Sequence, residues 1–375
     1  MFKSFFLGGF ECATGFNREG HWIDLVSATW HDLHADDDYR RLREVGILAA
    51  RDAVRWPLVD RGGGRYDFTS LEPVVRAAQR HGVEVIWDLF HYGYPAGLDL
   101  LSPAFAERFA DYCAACARHL RRRTAGTLWF TPVNEPSFFA WAAGHDAQFA
   151  PHRRGQAADL KLALVRAALR GMRAIRDEVP GARFVHADPL CRVVPPDDRP
   201  ESVAAAREFN ERHVFESWDI LCGRLHPELG GSRALLDVVG VNYYWTCQWV
   251  HGRHKEWLHD GDPRRQPLSE LVRRVWERYG GDLLITETMH WGEHRADWFR
   301  GLAREVERIL ALGIPLRGVC LYPILAMQDW HAPRDWLPMG LWDIDGANGM
   351  GRVVHQPLLD ALRDAQRRLP GGWGP

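Results

Sequence analysis

Residues 83–90 of the chain read Val-Glu-Val-Ile-Trp-Asp-Leu-Phe, a short run that is almost continuously apolar. Such a run is typical of a strand that is buried on both faces of a parallel sheet. A helical pattern over residues 71–81 precedes it and stops at Gly82, and a second pattern opens with Pro103 and continues to about residue 122. The run is therefore predicted to be a strand between two helices.

The same alternation of apolar runs and helical patterns continues along the whole chain. Eight runs are predicted to be strands: Phe5–Phe10, Leu48–Trp56, Val83–Phe90, Thr127–Val133, Arg183–Asp188, Val238–Tyr243, Asp282–Glu287 and Arg317–Tyr322. Eight strands that alternate with helices favour one α/β fold, the (β/α)8 TIM barrel, and residues 1–375 are expected to form this single catalytic barrel. An open doubly wound sheet is the alternative, but no early strand is followed by its Gly-x-Gly-x-x-Gly turn.

Helix ends are marked by serine and glycine. Three serines stand where N-caps are expected, before helical patterns that begin near residues 71, 103 and 270: Ser70, Ser102 and Ser269. Three glycines stand where the patterns over residues 71–81, 270–279 and 294–312 stop: Gly82, Gly280 and Gly313. These signals support the alternation of helices with the eight predicted strands.

Composition limits the classes of function to be considered. Apolar residues make up 46% of the 375 residues, enough for a sizeable core, and the formal net charge is -2. Acidic and basic residues are mixed, so neither nucleic acid nor a membrane surface is an expected partner. The seven cysteines show no framework spacing, and no segment resembles a signal peptide or a transmembrane helix. A reduced, cytoplasmic setting is therefore expected.

Two predicted strands end in a glutamate, at the edge of a (β/α)8 barrel where catalytic residues lie. Residues 131–136 read Thr-Pro-Val-Asn-Glu-Pro after the fourth strand, and residues 284–287 read Leu-Ile-Thr-Glu at the end of the seventh. One glutamate at a strand end is more often an ion-pair or cap residue than a catalyst. Two of them, Glu135 and Glu287, three strands apart and with Asn134 able to bind a sugar hydroxyl, favour catalysis.

Paired carboxyl groups are what glycoside hydrolysis requires. In a retaining enzyme the two groups lie roughly 5–5.5 Å apart on either side of the anomeric carbon. Glutamates after the fourth and seventh strands face each other across the barrel mouth and can meet that requirement. Glu287 is predicted to be the nucleophile and Glu135 the acid/base, because like-charge repulsion raises the pKa of Glu135 until Glu287 forms the glycosyl ester.

These motifs resemble those of the family 1 glycoside hydrolases, a β-glucosidase-like family in the clan of (β/α)8 retaining glycosidases. The family's Thr-x-Asn-Glu-Pro motif is matched by residues 131–136. Arg51 is similar to the arginine beside the nucleophile, and His91 to the histidine that binds a glycone hydroxyl. Asn242 and Tyr244 lie in a stretch like the family's Gly-x-Asn-Tyr-Tyr, whose second tyrosine hydrogen-bonds the nucleophile. The likeness runs in order over nearly the whole chain.

The sugar contacts that the resemblance implies are partly changed. Asp329 stands where the family has the glutamate that grips the far hydroxyls, and Trp330 where a tryptophan stacks beneath the sugar ring. Asn17 replaces the glutamine of the early Gln-x-Glu-Gly motif, and Glu11, at the end of the first strand, is a candidate to take part instead. Thr288 follows the nucleophile where the family has asparagine. The chain therefore resembles a divergent branch of the family.

The resulting expectation is an exo-acting retaining β-glycosidase that hydrolyses a small glycoside or oligosaccharide and needs no cofactor or metal. A transglycosidase that uses the same site is one alternative, and a non-catalytic carbohydrate-binding barrel is another. His31 and His34, close to the acidic residues 36–38, could suggest a metal, but such a run is more typical of a solvated helix start. Cys113 and Cys116 fit a packed helix face.

Overall fold

The computed structural model describes residues 1–253 and 255–369. Eight parallel strands close into a barrel in which each strand pairs with its neighbours in sequence and the first pairs with the last. They are β1 (Phe6–Gly9), β2 (Ala49–Ala53), β3 (Glu84–Asp88), β4 (Trp129–Thr131), β5 (Arg183–Pro189), β6 (Val238–Asn242), β7 (Asp282–Thr288) and β8 (Leu316–Leu321). The predicted (β/α)8 fold is confirmed, and each predicted strand has its counterpart.

Helices connect the strands and surround the barrel. The principal ones are α1 (His31–Glu44), α2 (Glu72–His81), α3 (Pro103–Arg121), α4 (Ala157–Glu178), α5 (Glu216–Leu221), α6 (Leu268–Tyr279), α7 (Arg295–Ala311) and α8 (Gln356–Arg368). Other helices and helical turns lie in the connections: Leu25–Ala28, Trp56–Val59, Pro136–Gly144, Pro200–Glu208, Phe209–His213, Pro227–Leu229, Arg233–Leu235, Gly292–His294 and Gly346–Asn348. Among the described helices, none is both long enough and apolar enough to cross a bilayer.

Short antiparallel or parallel strand pairs extend the connections at the carboxyl ends of the barrel strands. Thr14–Phe16 pairs with Trp22–Asp24 after β1, and Arg192–Val194 pairs with Gln248–Val250 from the connections after β5 and β6. Two more pairs follow β8, namely Met327–Gln328 with Trp336–Leu337 and Trp342–Asp345 with Gly351–Val354. The connections that surround the barrel mouth therefore have defined local structure.

Local predictions failed at two kinds of position. The second strand was predicted to continue to Trp56, but it ends at Ala53, because the Trp56 ring packs outside the barrel, stacked 5.2 Å from the Tyr112 ring of α3. Of the expected serine caps, Ser102 does stand at the N-cap position of α3, but its side chain makes no cap hydrogen bond, and α2 and α6 begin after other residues, Leu71 and Pro267. The Ser102 hydroxyl donates to the carbonyl of Asp99, and Ser269 lies inside α6, where its hydroxyl donates to Glu305. Both hydroxyls therefore act as donors to these oxygens.

The barrel interior is layered, because alternate residues of each strand point inward. The lower layer is apolar and consists of Leu7, Ala49, Ile86, Trp129, Val185, Val238, Leu284 and Cys320. Two residues further along four of these strands, the inward positions are polar and buried: Arg51, Asp88, Thr131 and Thr286. We call these four residues the polar layer. It lies directly beneath the carboxyl-end opening of the barrel.

Gly9 occupies the same level of the interior on β1. A Cβ atom at this position would lie only 2.1 Å from the ring of Tyr322, which follows β8. Glycine is therefore needed for the Tyr322 ring to pack inside the barrel. The guanidinium carbon of Arg51 lies 5.0 Å from the centre of this ring, which becomes one wall for the polar layer.

The acidic run at the start of α1 is only partly the solvated surface that the sequence suggested, since Asp36 is exposed and the buried polar residues are His31 and Asp38. The two His31 nitrogens lie 2.8 Å from Asp38 and 2.9 Å from Asp52. Burial alone would lower the pKa of His31, but the carboxylates, Asp52 foremost, outweigh it and raise the pKa to about 9. Arg352 also binds Asp38. These polar residues tie α1 to β2 and to the strand pair after β8.

Candidate active site

Glu135 follows β4 at the first residue before the helix Pro136–Gly144. Its backbone is left-handed, with φ of 47°, a conformation that costs free energy for a residue other than glycine. Backbone hydrogen bonds from neighbouring strands hold this turn. The backbone N–H of Glu135 donates to the carbonyl of Ala187 at 2.9 Å, and the backbone N–H of Asn134 donates to the carbonyl of Phe90 at 2.9 Å. The glutamate side chain is consequently fixed over the barrel mouth.

Glu287 reaches the same opening because of an irregularity in β7. Leu284 points into the barrel, so strict alternation would turn Glu287 outward. The pairing with β6 shifts by one residue between Ile285 and Glu287, and the pairing with β8 shifts as well. Such a bulge re-aims a side chain. The Glu287 carboxylate is thereby brought into contact with Arg51, which points inward from β2.

Glu135 is buried among neutral hydrogen-bond donors. The Asn242 amide nitrogen donates to Oε1 at 2.8 Å, and the Tyr92 hydroxyl lies 2.6 Å from Oε2. The Thr286 hydroxyl donates to Asn242 Oδ1 at 2.6 Å, so the Asn242 amide is oriented with its nitrogen toward Glu135. Among the residues that the structure describes, no Lys, Arg or His forms an ion pair with this carboxyl group.

Glu287 has a cation beside it. The Arg51 guanidinium donates to Oε1 at 2.9 Å, and the Tyr244 hydroxyl donates to Oε2 at 2.9 Å. Arg51 is itself fixed from three other sides, by the carbonyl of Thr286 at 2.9 Å, by Asp88 at 2.6 Å and by Asn134 at 3.0 Å. The guanidinium therefore stabilises negative charge on Glu287 with little freedom to move away.

The two glutamates are coupled electrostatically. Burial raises the pKa of Glu135 well above its usual range, and the charge of Glu287 raises it further. The hydrogen bonds from Tyr92 and Asn242 work in the opposite direction, because they favour the ionised form. Burial and the Glu287 charge prevail, so Glu135 holds a proton over a range of pH in which an exposed glutamate is ionised.

Asp188 supports the turn that carries Glu135. Its carboxylate accepts hydrogen bonds from the Ser137 amide at 3.0 Å and the Ser137 hydroxyl at 2.6 Å, and it also binds the Ser217 hydroxyl. These contacts anchor the first turn of the helix that follows Glu135. Burial raises the pKa of Asp188 to about 6, and its charge adds to the pKa increase at Glu135.

Three further predicted residues, His91, Asn134 and Glu11, form one connected group beside Glu287. His91 Nδ1 lies 3.1 Å from Asp88, and its Nε2 lies 3.1 Å from the Asn134 amide nitrogen. Since an amide nitrogen can only donate, His91 Nε2 accepts and Nδ1 carries the proton. Glu11 lies 3.9 Å from His91 Nε2. Burial raises the pKa of Glu11 to about 7, and the charge of Glu287 also raises it.

The remaining predicted residues lie in the connections after β1 and β8. The Asn17 amide binds within its own loop and donates to the carbonyl of Trp330 at 3.0 Å. Asp329 accepts the amides of His331 and Ala332 at 2.8 and 2.9 Å. Both side chains thus shape the loops that carry Trp330.

The Trp330 ring belongs to an aromatic group next to Glu135. Ring centres of Tyr92, Phe138 and Phe149 lie 5.8, 6.0 and 5.4 Å from it. The indole Nε1 is buried and has no hydrogen-bond partner among the described residues. A buried donor of this kind is costly unless a ligand or solvent oxygen accepts from it.

Two residues of the site were not singled out from the sequence. Tyr92 contacts Glu135 directly, and Asp88 holds both Arg51 and His91. The signal for Asp88 was present, since it is an acid inside the apolar run 83–90 and buried acids are paired or functional. Tyr92 adjoins His91, but its direction depends on a left-handed backbone, with φ of 74°, that no sequence pattern reveals.

Cys12, Asp88 and His91 are the one group in the described residues whose side-chain atoms are close enough to share a metal ion, within 4.8 Å of one another. Each of the three residues already has a partner, since the Cys12 thiol donates to the Phe10 carbonyl and Asp88 Oδ2 binds both Arg51 and His91, while Asp88 Oδ1 has no partner among the described residues. The adjacent Arg51 cation also opposes a metal ion. All seven cysteines lie in the described residues and are free thiols.

The fold and the site together define a class of proteins, the (β/α)8 barrels that carry two acidic residues after β4 and β7. No protein-family model matches the chain, and no curated protein matches its sequence. Solved structures do match it in fold. A family 1 β-glucosidase from Thermotoga maritima superposes with a TM-score of 0.79 at 16% identity, covering 100% of both chains.

Two other matches extend this result. The Thermotoga maritima β-glucosidase in complex with deoxynojirimycin gives a TM-score of 0.79 at 15% identity, with 99% of each chain covered. The AHE enzyme from Alicyclobacillus herbarius gives 0.78 at 18% identity, covering 96% of this chain and 98% of that one. The chain therefore has the fold of these β-glucosidases over nearly its full length, at a sequence identity of 15–18%.

Proposed function

We propose that this chain is a divergent member of the family 1 glycoside hydrolases and acts as a β-glucosidase-like retaining β-glycosidase. The observation that carries the proposal is the pair Glu135 and Glu287, two buried carboxyl groups at the ends of β4 and β7 that interact electrostatically and have unlike partners. One stays protonated and the other stands beside a fixed cation. A double displacement at a sugar needs this division of roles.

In the first step the anomeric carbon of a terminal β-linked sugar lies between the two carboxyl groups. Glu287 attacks this carbon, and Glu135 gives its proton to the oxygen of the departing group. Arg51 and Tyr244 orient the attacking carboxylate. The bond to the leaving group breaks as the glycosyl ester forms, and the leaving group departs as an alcohol.

In the second step the ester is hydrolysed. Glu287 carries no charge while it is esterified, so its repulsion no longer raises the pKa of Glu135. Glu135, now ionised, takes a proton from water, and the oxygen of that water attacks the anomeric carbon. Glu287 is released as a carboxylate and the sugar keeps its β configuration. The mechanism needs no cofactor or metal ion.

We assign the sugar contacts to the residues around this pair. His91, Asn134 and Glu11 are placed to bind hydroxyls of the terminal sugar, while Trp330 offers an apolar face and an unpaired indole donor. Asn17 and Asp329 act mainly through the loops that hold Trp330. We further propose that residues 1–375 are one catalytic barrel that works on small glycosides or oligosaccharides in the cytoplasm.

A panel of nitrophenyl α- and β-glycosides, with product configuration followed by NMR, tests the reaction. We expect hydrolysis of at least one β-glycoside with a β product formed first. A 2-deoxy-2-fluoro sugar with a good leaving group is expected to inactivate the enzyme and to add its mass to the peptide that contains Glu287. An added alcohol acceptor shows whether the glycosyl group passes to water or to the alcohol.

Three results would contradict the proposal. An α product would exclude retention, and label on a peptide without Glu287 would overturn the choice of nucleophile. Binding of sugars without turnover of any glycoside in the panel would favour a carbohydrate-binding barrel instead.

A further inference from the structure

Among the described residues the hydroxyl of Tyr92 makes the shortest hydrogen-bond contact with Glu135, and it has no place in the two steps described above. It lies 2.6 Å from Oε2 of Glu135, and the tyrosine is 2% exposed. Its ring stacks on Phe139 with centres 5.3 Å apart and planes 5° apart, and the Trp330 ring meets it at 88°. The hydroxyl therefore has a fixed position against one carboxyl oxygen.

The other oxygen of Glu135 is the less favourable site for the proton, because the carbonyl oxygen of a protonated carboxyl group is the better acceptor. Oε1 accepts from the Asn242 amide nitrogen, and the Thr286 hydroxyl keeps the Asn242 amide in that orientation. An amide nitrogen only donates, so Oε1 accepts in both protonation states of Glu135. The proton that Glu135 gives to the leaving group is consequently held on Oε2, the oxygen beside Tyr92.

We infer that Tyr92 is a positioning residue for the acid/base, and that its hydroxyl accepts a hydrogen bond from protonated Glu135 and donates one to ionised Glu135. This inference rests on the proposed function for the role of Glu135. The hydroxyl only rotates between the two states, so no proton leaves Tyr92. The transferred proton passes from Oε2 to the glycosidic oxygen. Tyr92 thereby stabilises the carboxylate at the moment the proton departs.

The backbone around Tyr92 supports a functional role. Tyr92 has φ of 74°, a left-handed conformation that is costly for an aromatic residue and is found where surrounding contacts enforce it. The preceding carbonyl, of His91, accepts the Thr14 amide at 3.2 Å. At the following residue, Gly93, a Cβ atom would lie 2.0 Å from Thr14 Oγ1. The turn is held in place on both sides of the tyrosine.

Other ionisable groups also face this position, so the test compares variants that leave them unchanged. The groups that act on Glu135 or on Tyr92 are Glu11 after β1, Asp188 of β5, Tyr244 after β6 and Glu287 of β7, with Cys191 after β5 and Arg51 of β2 nearby. The substitution Tyr92→Phe keeps the stacked ring and removes only the hydroxyl.

The experiment is a titration of the Glu135 carboxyl group in the substrate-free protein. The protein is labelled with ¹³C at glutamate carboxyl carbons, and Glu135→Gln identifies the signal. Without Tyr92 the ionised form loses a donor, so Tyr92→Phe is expected to move the midpoint up by about one pH unit. The basic limb of the kcat/KM profile is expected to move by the same amount, while the acidic limb stays in place.

Tyr112→Phe is the matched control. Tyr112 is also fully buried, but its hydroxyl donates to the carbonyls of Val54 and Leu89 at 2.8 and 3.2 Å and contacts neither catalytic glutamate. This variant is expected to lose stability without moving the Glu135 midpoint. An unmoved midpoint in Tyr92→Phe, or an equal movement in both variants, would overturn the inference.

The two proposals can fail separately, because the titration needs no turnover. A shifted midpoint in a protein that hydrolyses no glycoside would leave the contact between Tyr92 and Glu135 standing and remove the glycosidase assignment. Hydrolysis with an unmoved midpoint would do the reverse.

Discussion

Glu135 and Glu287 are the same amino acid, are buried to the same degree and lie at one opening, but their partners differ in charge. The two donors at Glu135, Asn242 and Tyr92, are neutral. Glu287 also accepts a hydrogen bond from a tyrosine hydroxyl, that of Tyr244, but its other partner is the guanidinium of Arg51. The charge of one side chain, contributed from β2, is what distinguishes the two environments.

Under the proposed function, this difference is how the barrel assigns two chemical roles to one residue type. A buried carboxyl group with neutral donors keeps its proton, whereas a guanidinium stabilises the ionised form. The sequence distance between Arg51 and Glu287 is long, but inward positions at one level of a closed barrel are neighbours. Four substitutions test how far the partners of each carboxyl group determine its behaviour.

The largest effect is expected at the nucleophile. Glu287→Ala should lose roughly four or more orders of magnitude in kcat on an aryl β-glycoside, because no covalent intermediate can form. Steady-state turnover measures this, and circular dichroism confirms the fold. Turnover near that of the wild type would place the nucleophile elsewhere and end the comparison.

The second effect separates the acid from the nucleophile. Glu135→Ala should reduce kcat/KM about 10²–10⁴-fold for substrates whose leaving group needs a proton, and much less for dinitrophenyl glycosides, which leave as stable anions. A plot of rate against leaving-group pKa measures the contrast. Equal losses for both kinds of substrate would argue against an acid role for Glu135.

The third effect tests the charge itself. Arg51→Met should lower kcat by about 10²–10³-fold, since the charge that stabilises Glu287 is removed while most of the side-chain volume is kept. Arg55→Met is the control, because Arg55 is likewise buried and ion-paired, to Asp24 at 2.9 Å, but has no contact with either glutamate. If the two variants lose activity equally, the effect comes from stability and not from the charge beside Glu287.

The smallest effect concerns Glu11, a third carboxyl group that has neither a cation in hydrogen-bond contact nor a hydroxyl donor. Its pKa in the folded chain is about 7, above the ordinary value of 4.5, so the folded state binds the proton more tightly than the unfolded state. The stability that this proton provides is present below pH 4.5 and is lost as the pH rises to about 7. The loss is about 3 kcal/mol at most, at about 1.36 kcal/mol per pH unit.

Glu11→Gln removes that dependence. The difference in unfolding free energy between this variant and the wild type, from urea titrations at pH 4.5, 6 and 7.5, should change in favour of the variant as the pH rises. A constant difference would show that Glu11 ionises as an exposed glutamate does. Using the difference cancels other groups that titrate in this range, such as Asp188.

The sequence was sufficient for the fold because eight apolar runs alternate with helical patterns, and no early run is followed by the Gly-x-Gly-x-x-Gly turn of an open doubly wound sheet. It also singled out Arg51 and Tyr244, which the structure brings into contact with Glu287, and Asn242, which contacts Glu135. These residues lie at strand ends, and the strand order of a closed barrel fixes which ends meet.

The sequence was insufficient where a side chain's partner depends on loop geometry. Asn17 and Asp329 were expected to bind sugar, but the Asn17 side chain binds backbone groups of its own loop and of Trp330, and Asp329 Oδ1 accepts two amides of its own loop. Tyr92 was missed because only a left-handed turn directs it at Glu135. The bulge in β7 that aims Glu287 inward is likewise invisible in a pattern of alternation.

The polar layer has a consequence for the evolution of the chain. Three of its buried atoms, Arg51 Nε, Asp88 Oδ1 and Thr131 Oγ1, have no hydrogen-bond partner among the described residues, and a buried ion pair is often less stabilising than aliphatic side chains of similar volume. A population selected only for resistance to heat is therefore expected to replace Arg51 and Asp88 early with leucine, methionine or valine. The protein would become more stable and would lose the proposed catalytic activity through the same few substitutions.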